Sequence, residues 1–433
     1  MAGLPLALGG CGLWDAAFGD TKPPLPGERV AVLPRQVGAV PDDSLADMPV
    51  ELPPPVQNAA WPVPGGTPSN VPGHVAAADS LAVAWRTGVG TGASSRRRLL
   101  APPVIADGRV FAADATGEVA AIDLRDGRTL WRRDVRPPRT RGDLLGVGVA
   151  FGGGRLFVAT GLAEVVALDA GSGEALWRSA LPAPSRGAVT VAERRVIVLT
   201  VEGQVVGLAA ETGERLWTHR GPGEATTLLG APAPSVDEGV VLVGFPNGDA
   251  AALRLETGRP IWTESLGTAR GRPSIADIAA IRGRPAIDRG RGILASSGGV
   301  TMAIDMRSGR RIWEREIASR ESPCVAGDWI FLLSASEELL AIRRADGRVR
   351  WVAELPRHRD PARRRDPILW TGPLLAGDRL VLAGSLGEAI AVSPYTGELL
   401  GRQRLPDGVS VPPVAADGTV VLLTDGAAVV ALR

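Results

Sequence analysis

Lysine is almost missing from this chain. Lys22 stands alone among 48 basic residues, so nearly every positive charge is an arginine. With 47 acidic residues the formal net charge is +1, and no global electrostatic reason exists to expect a nucleic-acid partner. The arginine bias, beside 55 glycines and 36 prolines, reads as genome composition and lowers the weight of any one arginine cluster. Cysteine is scarce as well. Cys11 and Cys324 are the only two, which excludes a disulfide framework and a cysteine-based zinc site. Cys324 falls in the strand-like "SPCVAGDWIFLL" and reads as a small buried hydrophobe. His74, His219 and His358 are scattered, with no HExxH or HxH spacing that would point to a metal. No run of 18 apolar residues is present for a membrane-crossing helix. GxSxG and P-loop motifs are absent too, and "TGVGTG" (87–92) is a glycine-rich stretch that opens no helix.

Tyrosine occurs once and phenylalanine six times, yet there are 11 tryptophans. Seven of them close one repeated unit. "DSLAVAW" ends at Trp85, "AIDLRDGRTLW" at Trp131, "ALDAGSGEALW" at Trp177 and "GLAAETGERLW" at Trp217. "ALRLETGRPIW" ends at Trp262, "AIDMRSGRRIW" at Trp313 and "AIRRADGRVRW" at Trp351. The spacing runs from 38 to 51 residues, and a further unit, "YTGELLG", sets Gly401 where tryptophan is due. Only Trp14, Trp61, Trp329 and Trp370 lie outside the pattern. Periods of roughly 40–50 residues with strand-like content point to propeller blades and not to helical solenoids.

Each unit reads as four strands. In 102–135, turns at Asp107-Gly108, Thr116-Gly117 and Asp126-Gly127 separate short apolar runs, and glycine supplies the positive φ these hairpins require. Alanines on the third strand suit close sheet packing, and a tryptophan on the fourth covers the blade interface. Repeat aspartates such as Asp123 and Asp169 recur at turns, a structural role. The last unit stops after its third strand, and the first has only its Trp85-bearing fourth. The two ends therefore complete one blade and leave no open edge. The expected fold is all-β: an eight-bladed β-propeller of four-stranded antiparallel blades over 81–433, closed by N- and C-terminal strands sharing one blade.

Residues 12–80 are dense in proline and glycine without a hydrophobic period, and they read as an extended or disordered tether. Leu8-Gly9-Gly10-Cys11 has the form of a lipobox, with 1–10 as a partial signal segment and 11–80 as a lipidated cysteine plus tether. The plain alternative is a cysteine behind Gly-Gly by chance. "SSRRR" (94–98), "RPPRTRGD" (136–143) and "PRHRDPARRRDP" (356–367) read as solvated inter-blade loops, with anion or acidic-partner binding as the functional alternative.

The unit "GxVxAIDxxTGxxLW" resembles the quinoprotein-type propeller repeat of PQQ-dependent dehydrogenases and their non-catalytic relatives. That resemblance would bring PQQ, calcium, a catalytic aspartate and a pair of adjacent cysteines. This chain has no such pair and lacks the large inter-blade insertions. A fuller resemblance is to the BamB family. It rests on Cys11, "KPPLPGERVAVLP", the eight units and the final "PVAADGTVVLLTDGAAVVALR". It implies a non-catalytic lipoprotein scaffold without cofactor or metal, anchored at the periplasmic face of the outer membrane. There it would be a monomer within the hetero-complex that assembles outer-membrane β-barrels, binding the POTRA domains of BamA and, in a wider reading, unfolded outer-membrane proteins. By the same resemblance the partner-binding loops are "GEATTLLGAP" (223–232) and "SIADIAAIRGRP" (274–285). Leu228 matches a family leucine and Leu229 stands where the family has arginine; a paired-aspartate pattern is reduced to Asp277, with Arg282 nearby. Leu228, Leu229, Ile278 and Ile281 read as exposed apolar anchors or as residues packed beneath their own loops. A PQQ-dependent oxidoreductase and a propeller sensor or adhesion module are the competing functions.

Overall fold

Short apolar runs punctuated by positive-φ glycines fold into antiparallel four-stranded sheets. The computed structural model describes residues 39–94, 97–137, 146–221, 232–266 and 280–433, and among them eight such sheets are present. Blade one is Val104–Ala106, Arg109–Ala113, Glu118–Asp123 and Thr129–Asp134, ordered from the axis outward. Blades two to seven end on outer strands Ala175–Ala180, Arg215–Arg220, Pro260–Ser265, Arg311–Arg315, Val349–Glu354 and Leu399–Arg404. Blade eight takes three strands, Val414–Ala416, Thr419–Leu423 and Ala428–Leu432, and borrows Val83–Gly88 as its fourth. Trp85 lies opposite Ala431 in that junction, so the ring is sealed by β-pairing as the sequence requires. A small hairpin, His358–Asp360 with Arg365–Pro367, stands on the connection between blades six and seven.

Within a blade, the two middle strands are buried on both faces and the outer strand is mostly exposed. The outer strand is also bulged at one fixed place. Ala121 faces Trp131, but Ile122 faces Thr129, so Leu130 is an extra residue. The same shift recurs before Trp177, Trp217, Trp262, Trp313 and Trp351. It turns each indole sideways toward the following blade. There the ring nitrogen donates to a carbonyl just past the third strand: Trp131 to Ala170 (3.0 Å), Trp217 to Leu255 (2.9 Å), Trp262 to Met306 (2.7 Å). Trp85, Trp177, Trp313 and Trp351 donate in the same way to Leu124, Ala210, Arg344 and Pro394. The ring face lies on the glycine of the receiving turn. At Gly258 φ is +67°, and a Cβ there would sit 2.4 Å from the Trp217 ring. Glycine alone meets both demands. At the receiving turn of blade two an aspartate holds the loop: the Asp169 carboxylate accepts from the Ser172 and Gly171 N–H groups, which lower its pKa.

Over residues 39–80 the expectation of a tether is overturned, while residues 11–38 lie outside the described residues. Residues 39–80 are bonded to the ring: the Asp42 N–H donates to Val349 on the outer strand of blade six, and residues 56–75 run along the axial side. Trp61 exchanges hydrogen bonds with Ile105 of blade one (2.7 and 2.9 Å). Carbonyls of Pro62, Pro68, Ser69 and Asn58 accept from Phe151, Val236, Ile287 and Asp417 of blades two, four, five and eight. Val75 pairs with blade seven. The innermost strands expose unpaired N–H groups to the axis, and buried backbone donors must find acceptors. Proline keeps its carbonyl, so a proline-rich segment serves well as an acceptor strip while being barred from a ladder of its own. Trp61, Val63, His74 and Val75 are each no more than 3% exposed.

Removing one interface indole is therefore expected to cost more than removing its neighbour. Trp217→Ala should lose about 3–5 kcal/mol, and Leu216→Ala, on the exposed bulge, no more than about 0.5 kcal/mol. Urea denaturation of the two variants checks this; equal losses would reject the interface role of the tryptophan.

Candidate functional site

Antiparallel strands put the second-to-third turns and the blade-to-blade connections on one face of the ring, and the remaining turns on the other. The segment 56–75 crosses the axis from the second face. The first face therefore holds the mouth of the axial channel. Seven of the eight blades send residues there, Thr371 from within its inner strand and the others from just before theirs: Leu99 and Leu100, Ala188, Pro232 and Ala233, Arg282–Arg284, Arg320–Ser322, Thr371, and Ser410–Pro412. They enclose a cavity of about 130 Å3 with Pro64 of the crossing segment at its base. A neighbouring cavity of about 160 Å3 shares Arg282, Arg320, Glu321, Thr371 and Ser410 and adds Glu337 and Trp370.

The charges here are sequestered. A Glu321 carboxylate oxygen accepts from the Thr371 hydroxyl (3.0 Å) and the Gly372 N–H (3.2 Å). Burial nonetheless pushes its carboxyl above the usual range. Glu337 is raised by burial as well; it accepts from the Trp370 N–H and pairs with Arg320 at 3.3 Å. Burial lowers the Arg284 guanidinium to about 10, with Glu321 acting in the other direction. Arg282 is lowered by burial and by the charge of Arg320.

The expected partner-binding residues divide. Leu228, Leu229, Asp277, Ile278 and the lipobox Cys11 lie outside the described residues. Ile281 is 1% exposed and packs among Leu242, Leu294 and Met302, so it is a core residue and not an exposed anchor. Its N–H donates to the Phe245 carbonyl, which draws the loop's end inward. Arg282, the next residue, turns to the mouth. The two loops chosen from sequence therefore end side by side, at Pro232 and at Arg282–Arg284. Sequence reasoning missed Arg284, Arg320 and Glu321. They arrive singly from different blades, and no spacing marks them. The turn aspartates Asp123 and Asp169 sit away from the axis and hold backbone N–H groups. Cys324 is buried, its thiol pushed up to about 11, as a packing residue would be.

These features define an eight-bladed propeller of the PQQ-like repeat class, plugged at one end of its axis. A sequence profile described as "Outer membrane protein assembly factor BamB" matches residues 69–145 and 115–353. An outer membrane protein assembly factor BamB from Alkalilimnicola ehrlichii is 35% identical over 349 residues, covering 78% of this chain and 87% of that protein. The chain belongs to the BamB family. Among solved structures, BamB from Moraxella catarrhalis superposes with a TM-score of 0.67 at 22% identity, covering 81% of this chain and all of that one. Quinohemoprotein alcohol dehydrogenase from Comamonas testosteroni also reaches 0.67, at 16% identity, covering 87% of this chain and 81% of that chain. That second likeness concerns the fold.

The described axial residues do not fit the quinone cofactor of such dehydrogenases. Neither cavity reaches the roughly 300–1,000 Å3 of sites for ligands of that size. Among the described residues no group of three His, Cys, Asp or Glu side chains is placed to hold a metal ion.

Two outcomes follow for the site. Ile281→Ala should destabilise the fold by about 2–5 kcal/mol in urea melts, whereas an exposed anchor would leave stability unchanged. Glu321 releases its proton less readily when folded than when unfolded. Its contribution to stability is therefore complete below the unfolded value of 4.5 and is lost as pH rises through the higher folded value. Glu321→Gln should flatten that decline in denaturation midpoints measured above pH 4.5; an unchanged slope would remove Glu321 as its source.

Proposed function

We propose that this protein is a non-catalytic scaffold of the machinery that assembles outer-membrane β-barrels. It acts from the periplasmic face of the outer membrane, anchored by lipid on Cys11, as a monomer within a hetero-complex. Its partner is the set of POTRA domains of BamA, with unfolded outer-membrane proteins as a further class of client. Membership of the BamB family carries this reading. The plugged axis supports it: the second face is occupied by the protein's own segment, so a partner meets the ring on its flank or on the connection face. Leu228, Leu229, Asp277 and Ile278 are assigned to the contact, with Arg282 at its inner edge. The rival oxidoreductase is disfavoured by the poor fit of the axis to a quinone.

The test is a binding measurement with the periplasmic domains of BamA. A Kd in the micromolar range or tighter is expected, and joint Leu228→Arg and Leu229→Arg substitution should weaken it at least about tenfold while urea melts stay unchanged. No binding at tens of micromolar would refute the scaffold role. Saturable PQQ absorbance and dye-linked alcohol oxidation with added calcium would establish the enzyme in its place.

A further inference from the structure

Among the described residues, the connection between blades six and seven is the one that folds into a hairpin of its own. Residues 356–367 carry Arg357, Arg359, Arg363, Arg364 and Arg365. From sequence this stretch reads as a solvated loop; the structure ties it to blade seven. The Ile368 N–H donates to the Arg357 carbonyl (2.9 Å) and the Ser385 N–H to the Leu369 carbonyl (2.9 Å). The Arg359 guanidinium donates to the Leu386 carbonyl (2.8 Å). Between the hairpin, the turn at 384–387 and the outer strand of blade seven lies an open cavity of about 410 Å3. His358 and Arg359 line it from the hairpin, Arg402 and Arg404 from the strand, and Ile368 and Leu386 give it an apolar wall.

Positive charge here exceeds what the neighbouring carboxylates match. Glu388 is the only acid lining the cavity, and it pairs with Arg402 (3.2 Å). Arg357 pairs with Glu338 (3.6 Å) and Arg363 with Asp360 (3.9 Å). Asp366 stands across the hairpin from Arg359, and Glu354 ends the outer strand of blade six. Asp407, past the outer strand of blade seven, accepts from the Gly408 N–H (2.7 Å) and faces Gly426 of blade eight. The side chains of Arg364, Arg365 and Arg404 meet no partner among the described residues, and Arg359 has only the neutral Leu386 carbonyl. The five hairpin arginines with Arg402 and Arg404 thus face Glu338, Glu354, Asp360, Asp366 and Glu388, which leaves two positive charges in excess. Composition accounts for arginine in place of lysine. It does not aim three guanidinium groups from two elements into one concavity.

A guanidinium fork matches phosphate oxygens in charge and geometry. A phosphate monoester carries about −1.5 to −2 charges at pH 7, which balances the excess, whereas one carboxylate leaves part of it. The cavity falls within the roughly 300–1,000 Å3 of small-ligand sites, and its apolar wall suits a carbon body attached to the phosphate. We infer that the cavity beneath the hairpin binds a phosphate monoester, with the phosphate held by Arg359 and Arg404 and the organic part against Ile368 and Leu386. A free phosphorylated metabolite and a lipid headgroup share that chemistry. The site goes beyond the scaffold role and does not depend on it.

Isothermal titration of the full chain with glycerol 3-phosphate at fixed ionic strength reads the phosphate contact. Saturable binding of one equivalent is expected. Joint Arg359→Gln and Arg404→Gln substitution should weaken it about tenfold or more. Arg404→Gln alone, which gives up no contact within the protein, should weaken it about threefold. Joint Arg125→Gln and Arg310→Gln substitution removes the same charge from exposed turns elsewhere and should change affinity by less than about twofold. Flotation of the Cys11→Ala chain, which cannot be acylated at that position, with phosphatidylcholine vesicles containing or lacking phosphatidic acid separates the two sources. Capture that needs phosphatidic acid and is lost on joint substitution of Arg359 and Arg404 assigns a lipid headgroup. Binding of the soluble ester without capture assigns a free metabolite. Neither heat of binding nor capture, or equal weakening by the Arg125 and Arg310 pair, would overturn the site.

Discussion

The ring depends on an indole laid across a glycine of the next blade. A buried tryptophan removes about 150–250 Å2 from water, which at about 25 cal/mol per Å2 corresponds to roughly 4–6 kcal/mol for each interface. The glycine contributes by having no side chain, since a Cβ at Gly173, Gly213, Gly309 or Gly347 would enter the ring that rests there. Glycine and tryptophan lie four residues apart in every complete unit, yet they do not touch each other. The glycine of one unit meets the tryptophan of the unit before it. Each repeat therefore both gives and receives, as in a head-to-tail interface between subunits, and such an interface makes a closed ring only when the rotation comes full circle.

At the eighth interface the rule has to change. Where other blades turn and receive an indole, Arg433 exchanges backbone hydrogen bonds with Ala82. No receiving glycine turn exists there, and blade seven carries Gly401 in place of tryptophan, where an added Cβ would meet only open space. Arginines take over the joint. Arg379 of blade seven donates to the carbonyls of Ala78 and Asp79, just before the strand that blade eight borrows, while at the next joint Arg433 joins Trp85 on the Leu124 carbonyl of blade one. The exception to the tryptophan repeat is thus explained by closure, because strand exchange and an indole socket compete for the same few residues.

The blades were legible because their defining contacts recur, and recurrence is what a single sequence displays. Trp85, Trp131 and their counterparts announced the period, and the unpaired strands at either end announced the closure. The crossing segment was misread for a physical reason. Proline density argues against strand pairing, and no ladder forms there. However, single carbonyls offered by Pro62 and Pro68 to inner-strand donors need no ladder. A tryptophan in that stretch, Trp61, was the available signal, since a disordered tether has no use for an indole. Ile281 shows the opposite limit. An isoleucine in a loop fits an exposed anchor or a buried wedge equally well, and only the Phe245 carbonyl and the core around it decide. Arg284 and Glu321 form no motif because a propeller gathers its axial residues one blade at a time.

The plug and the charged axis are connected through the same accounting of polar groups. An open ring of this kind would expose eight inner edges to water along its axis, and water would satisfy their donors. Once residues 56–75 cross the second face, that water is displaced and protein carbonyls must replace it, which they do in five of the eight blades through the Asn58, Trp61, Pro62, Pro68 and Ser69 carbonyls. Backbone can supply acceptors in this way, but it cannot neutralise a charge. Closing the axis therefore leaves the guanidinium of Arg284 as the group for which the crossing segment has no answer at its Nε. The crossing segment meets neutral donors with carbonyls in those five blades, and charge at the axis is met by side chains from the ring, as where Arg320 pairs with Glu337 at 3.3 Å.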